Sequence, residues 1–164
     1  NWNFGDGTSA TIPNPSHTYA TAAAYTVTLT VTDDTGLTNT KTQTVNVGSN
    51  TAQTYSNTTD VAIVDNATVT SSIVVSGRAG KAPSATPVEV NIVHTFTGDL
   101  KVDLIAPDGS VYVLHNRSGG GIDNIARTYS VNLSTEIING TWKLRVNDNA
   151  GADIGYIDSW NLTF

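Results

Sequence analysis

The residues of this sequence able to do chemistry are its histidines, carboxylates and asparagines, because cysteine is absent. Without cysteine there is no disulfide, no thiol nucleophile and no thiolate zinc site. Three histidines, His17, His94 and His115, sit in separate strands or strand ends, and any hydrolytic triad or histidine metal site must use them. No G-x-S-x-G elbow, H-E-x-x-H pair or P-loop accompanies them. His94 shares the parity of Val88, Val90, Ile92 and Phe96, so it is expected as a structural histidine on an apolar strand face.

The carboxylates say more, because acidic residues are few and several fall at strand tips. In Trp142-Lys143-Leu144-Arg145-Val146-Asn147-Asp148, the parity that buries Trp142, Leu144 and Val146 also turns Asp148 inward. An inward carboxylate is costly unless it is paired or binds a cation. Asp158 shares parity with Trp160, Leu162 and Phe164 on the return strand, and the loop between carries Asn149 and Asp153. Two further acidic segments, with Asp99 and Asp103 and with Asp123 and Asn124, could meet it. Hard oxygen donors suit calcium, and the lack of thiols and paired histidines disfavours zinc. The same residues could equally shape Asx turns. Paired carboxylates also invite a glycosidase reading, but these sit in short hairpin loops without a supporting motif.

The elements that must position these groups are strands. Tyr25 to Thr32 alternates apolar residues with threonine, Asp33-Asp34-Thr35-Gly36 reads as a turn, and a second alternating strand through Val47 completes a hairpin. Residues 48 to 60 offer almost nothing to bury, which places a first domain at 1–48, a linker at 49–58 and a second domain at 59–164. In the second domain strands are expected at 73–76, 87–96, 100–106, 111–114, 128–133, 141–147 and 159–164. Pro107-Asp108-Gly109, Ser118-Gly119-Gly120-Gly121 and Asn139-Gly140 supply turn chemistry between them. No stretch holds a helical period, so the fold class is all-β, an antiparallel sandwich.

The 164 residues suffice for two small domains, and charged residues make up only 13%, with threonine, asparagine, serine and glycine in their place. A net charge of −6 without any lysine or arginine run argues against nucleic acid and against an anionic membrane surface. No apolar run approaches the roughly 20 residues that span a bilayer, and the N-terminus lacks a signal-peptide pattern. Opening directly on a strand motif, the sequence reads as a piece of a longer exported chain. Asn-x-Ser/Thr sequons, as at Asn57, Asn116 and Asn139, are expected by chance at this composition.

Trp2-Asn3-Phe4-Gly5-Asp6-Gly7, followed by His17-Thr18-Tyr19 and the Tyr25 to Asp33 strand, closely resembles a PKD domain. The resemblance implies an Ig-like sandwich in which these motif residues are structural, with the strands that normally precede Trp2 missing. From about Thr54 the chain resembles a P-domain, the jelly-roll-like module that follows the catalytic domain of proprotein convertases and many bacterial proteases. His94-Thr95-Phe96-Thr97-Gly98-Asp99-Leu100, Leu104 to Gly109, Gly119 to Asn124, Gly140 to Asp148 and Asp153 to Trp160 carry that likeness, with Phe96 in place of the usual tyrosine.

These resemblances imply a non-catalytic accessory region of a secreted serine or metallo-endopeptidase, partnered by the protease's catalytic domain and aiding contact with protein or polysaccharide substrate. The rival expectation is an adhesion or polymer-binding module of an extracellular protein. Calcium is expected at the strand ends of the second module, with Asp99, Asp148 and Asp153 first and Asp123, Asn124, Asp103 and Asp158 behind them. The first module, lacking its early strands, should leave part of its apolar face uncovered.

Overall fold

Threonine at every second position commits residues 26–32 and 38–44 to extended backbone, where β-branched side chains pack well on a pleated surface. In the computed structural model, which describes residues 1–48 and 51–164, this becomes a long hairpin. Its strands are β3 (Ala23–Thr32) and β4 (Thr38–Val47), preceded by the short β1 (Trp2–Asn3) and β2 (Ser9–Ala10). The four form one antiparallel sheet in the order β2-β1-β3-β4. Register from Ala23↔Val47 to Thr32↔Thr38 sets Thr26, Thr28 and Thr30 opposite Thr44, Thr42 and Thr40. Asp33 closes the hairpin by accepting the N–H groups of Thr35 and Leu37, each at 2.9 Å.

The opposite face carries Tyr25, Val27, Leu29 and Val31, with Trp2 paired to Leu29. At one end an aromatic column covers it: Phe4 stacks on His17 at 4.1 Å, His17 meets Tyr19 edge-on at 4.6 Å, and Tyr19 stacks on Tyr25 at 4.1 Å. His17 Nε2 lies 2.7 Å from Asp6 Oδ2, so the two sequence motifs are joined by a polar side-chain contact as well as by ring packing. Gly5 is required here, since a Cβ would stand 2.6 Å from the Thr26 carbonyl and its φ is +81°. Further along, Val31 and Val45 remain exposed.

Residues Thr51–Ser76 and Gly80–Phe164 form a second unit. Its strands are β5 (Thr54–Asn57), β6 (Val61–Ile63), β7 (Thr68–Val75), β8 (Thr86–His94), β9 (Leu100–Ile105), β10 (Val111–Asn116), β11 (Ile125–Val131), β12 (Gly140–Asp148) and β13 (Gly155–Thr163). A single 3-10 turn, Thr97–Asp99, separates β8 from β9. One sheet runs β10-β9-β12-β7, the other β11-β8-β13-β5 with β6 also on β13. Between them lies a core of inward residues including Val88, Val90, Leu100, Leu104, Leu144 and Leu162. Trp142 and Trp160 are fully buried, and each indole N–H finds an acceptor, the Ile138 carbonyl and the Ser71 hydroxyl, both at 2.9 Å.

The strands expected from alternation are present, most of them longer than expected. The expected linker is corrected: residues 54–57 are not a connector but β5, which pairs with β13 from Trp160↔Asn57 to Thr163↔Thr54. Tyr55 supplies the apolar anchor, packing partly buried beside the core. Residues 49 and 50 of that segment lie outside the described residues.

Candidate functional site

Most of the acidic residues singled out by sequence surround one end of the second unit, where β8, β11 and β12 finish or begin. His94, the last residue of β8, is the hub. His94 Nδ1 meets the Phe96 backbone, 3.2 Å from its N and 3.1 Å from its carbonyl, while Nε2 lies 3.3 Å from Asp148 Oδ2. Both side chains are shut away from solvent, with exposures of 0% and 1%. His94 is thus the satisfied structural histidine that strand parity implied.

Asn124 fixes the start of β11 to the end of β8. Its Oδ1 accepts the His94 N–H at 3.0 Å and its own N–H donates to the His94 carbonyl at 2.8 Å. This reciprocal grip needs a left-handed φ of +61°, which asparagine tolerates. Asp148 Oδ1 accepts the Ala150 N–H at 3.0 Å, an Asx turn opening the loop after β12. Asp153, near the end of that loop, takes the Thr95 hydroxyl at 2.6 Å. Asp99 borders the same loop through its carbonyl, which accepts the Asn149 N–H at 3.4 Å. Asp123 is exposed beside Asn124.

Two expected members are elsewhere. Asp103 lies on the outer face of β9, opposite Arg145 in register, and its Oδ2 accepts from Lys101 Nζ at 2.9 Å and Arg145 Nη2 at 2.7 Å. Burial would raise its carboxyl, but the two cations outweigh burial and hold it below the usual carboxylate range. Asp158 is corrected for a different reason: the β13–β8 register shifts between Ile157 and Ser159. That bulge inserts one residue between the buried Ile157 and Trp160, so Asp158 points outward and merely accepts from the Ser159 hydroxyl at 3.0 Å.

Other residues complete the loop without having been singled out. Asp65 accepts the Ala152 N–H at 3.0 Å. Arg117 bridges Asn149 at 2.9 Å and Asn147 at 2.7 Å, tying the loop after β10 to the end of β12. The Asp65-Asn66 dipeptide ahead of β7 was a readable turn signal; nothing in the sequence placed Arg117. The fit to a metal is partial. Among the described residues, no three histidine, aspartate or glutamate side chains gather closely enough to hold an ion. Asp99, Asp148 and Asp153 all border one loop, yet two of them already accept hydrogen bonds there.

Residues 83–164, which contain all of this strand-end cluster except Asp65, match the family model described as the proprotein convertase P-domain. The chain belongs to this family. A PKD domain model matches residues 1–47. Over 114 residues the chain is 59% identical to leupeptin-inactivating enzyme 1 of Streptomyces exfoliatus, covering 68% of this chain and 26% of that protein. It is 49% identical over 112 residues to the transglutaminase-activating metalloprotease of Streptomyces mobaraensis, covering 67% and 15%. Within a 44-residue stretch it is 50% identical to a microbial collagenase of Vibrio alginolyticus, covering 27% and 5%. The chain therefore spans about a quarter or less of these curated relatives. A serine protease of Aeromonas sobria, solved with its chaperone, shares the fold with a TM-score of 0.51 at 15% identity, over 84% of this chain and 36% of that one. The relatives that the P-domain segment matches include bacterial proteases several times longer than this chain.

Proposed function

We propose that this chain is the non-catalytic accessory region of a secreted, extracellular protease, stabilising or regulating the catalytic domain in the same polypeptide. The observation that carries this reading is the match of the P-domain to a fraction of several bacterial protease chains. The burial of His94 against Asp148 supports it, because that histidine is committed to the fold. The purified chain should leave casein and synthetic peptides intact. In the full-length protease, deletion of residues 51–164 should shorten the half-life of activity at elevated temperature. Turnover that co-purifies with the isolated chain would overturn the reading.

Calcium is proposed at the loop after β12, with Asp148, Asp153 and Asp99 as carboxylates and loop carbonyls completing the oxygen shell. Their common position around residues 148–153 supports this, and the ion would supply rigidity rather than chemistry.

A polymer-binding role is favoured by one feature of the PKD segment. Half-buried Trp2 lines a recess of about 310 Å³ with Val27, Leu29 and Val45. Saturable binding to insoluble collagen, chitin or cellulose that is lost in Trp2→Ala would establish it, and equal binding by that variant would dismiss it.

A further inference from the structure

Beside the strand-end cluster, a recess of about 230 Å³ opens between the loop after β10 and strand β11, lined by Thr97, His115, Ser118, Gly119, Arg127 and Tyr129 among others. Arg127 is its only permanently charged residue, held 5.2 Å above the Tyr129 ring. Among the described residues no carboxylate pairs with it. This contact leaves its N–H donors unspent. In a chain of net charge −6, such a cation held over a concave polar surface is an unusual feature.

The rest of the lining comes largely from His115 and the loop after β10. His115 Nε2 donates to the Thr97 carbonyl at 2.9 Å, so Nδ1 faces the Ser118 hydroxyl at 3.4 Å as an acceptor. Gly119 has a φ of +93°, and a Cβ there would stand 2.7 Å from Thr97 Oγ1, so no larger residue fits without displacement. Its carbonyl takes the Ile122 N–H and that of Ser118 takes the Thr97 hydroxyl, but the N–H groups of Ser118 and Gly119 have no acceptor among the described residues.

We propose that this recess binds the C-terminal carboxylate of a peptide, with Arg127 as counter-charge and the Ser118 and Gly119 N–H groups as neutral donors. Guanidinium matches a carboxylate in a planar two-bond geometry, and successive free N–H groups in a left-handed turn are a recurrent way to hold a peptide terminus. Arg127 stands over the Tyr129 ring and competes with a sugar for that face. The volume lies below the range of about 300–1,000 Å³ typical of drug-sized ligands, suiting a terminus and little more. The choice of a peptide as the source of the carboxylate rests on the protease-accessory reading; the chemistry of the recess does not.

The intact chain titrated with acetylated trialanine, followed by amide-resolved NMR, tests this. Saturable shifts are expected at Ser118, Gly119 and Arg127. The C-terminal amide of the same peptide and Arg127→Gln should each weaken binding by about tenfold, the loss of one charge-assisted contact. Tyr129→Leu should weaken it too, because the guanidinium loses the ring beneath it. A thermal melt of each variant separates lost binding from lost folding, and Arg127 is exposed. Equal binding of acid and amide, sulfate binding as tightly as the peptide acid, or no saturable shift would each overturn the proposal. Any of these would leave the accessory role standing, since that role is judged by protease half-life.

Discussion

His94 Nε2 stands 3.3 Å from Asp148 Oδ2, and the two join the last residue of β8 to the last of β12 across the sandwich. The β8 strand belongs to one sheet and β12 to the other, so this polar contact spans the core at its open end. Removing one partner strands the other in a dry site. Asp148→Ala should therefore cost on the order of 3–5 kcal/mol in urea unfolding. A double change of His94 and Asp148 to apolar residues should recover part of it. A single-variant loss below about 1 kcal/mol, the value of an exposed pair, would mean that the contact contributes little.

Asp103 gives the P-domain an acid limb. Its carboxyl is lowered because Lys101 and Arg145 outweigh the opposing effect of burial. A carboxyl depressed on folding binds fewer protons than in the unfolded chain, so its contribution is complete above the unfolded value and lost as pH falls through the folded one. The melting temperature should decline below the ordinary carboxylate range, and Asp103→Asn should flatten that decline. Its Oδ1 is buried without a protein partner, so Arg145→Ala should be worse than Asp103→Asn at neutral pH. An acid limb unchanged in Asp103→Asn would assign the effect to other carboxylates.

Strict alternation made most of the fold legible, because a half-buried strand writes its face directly into the sequence. It failed where the period itself breaks. The bulge at Asp158 inserts one residue between Ile157 and Trp160, so parity counted back from Phe164 gave the wrong face. Asp148, on an unbroken strand, was placed correctly as inward. Parity could not say whether an inward carboxylate meets a cation or a histidine, since His94 lies 54 positions away. Strand β5 was missed because a central anchor, Tyr55, among small polar residues carries no period.

The PKD segment should open more readily than the P-domain. Val27 and Leu29 are only partly buried, whereas Leu144 and Val146 have no exposure and lie between paired strands. Hydrogen exchange tracks such differences in local opening free energy. Amides of Val27 and Leu29 should exchange faster than those of Leu144 and Val146 in a dilute sample. Equal protection would show that the segment's apolar face is covered after all.

The calcium proposal makes the sharpest demand, because the carboxylates of the loop already have hydrogen-bond partners and must gain from an ion nonetheless. Asp148 enters the loop buried, Asp153 closes it on the Thr95 hydroxyl, and Asp99 borders it through the backbone. An ion bound only by the folded state would add RT ln(1 + [L]/Kd), about 2.7 kcal/mol at a hundredfold excess. Chelator should then lower the Tm of the P-domain transition, calcium should restore it better than magnesium, and Asp153→Asn should blunt both responses. Asp158→Asn and Asp103→Asn serve as controls, because one carboxylate faces outward and the other is held by Lys101 and Arg145. Both should retain the full chelator response. An unchanged melt in excess chelator, with no metal in elemental analysis of untreated protein, would reduce these residues to the Asx turn and hydroxyl contacts that they already make.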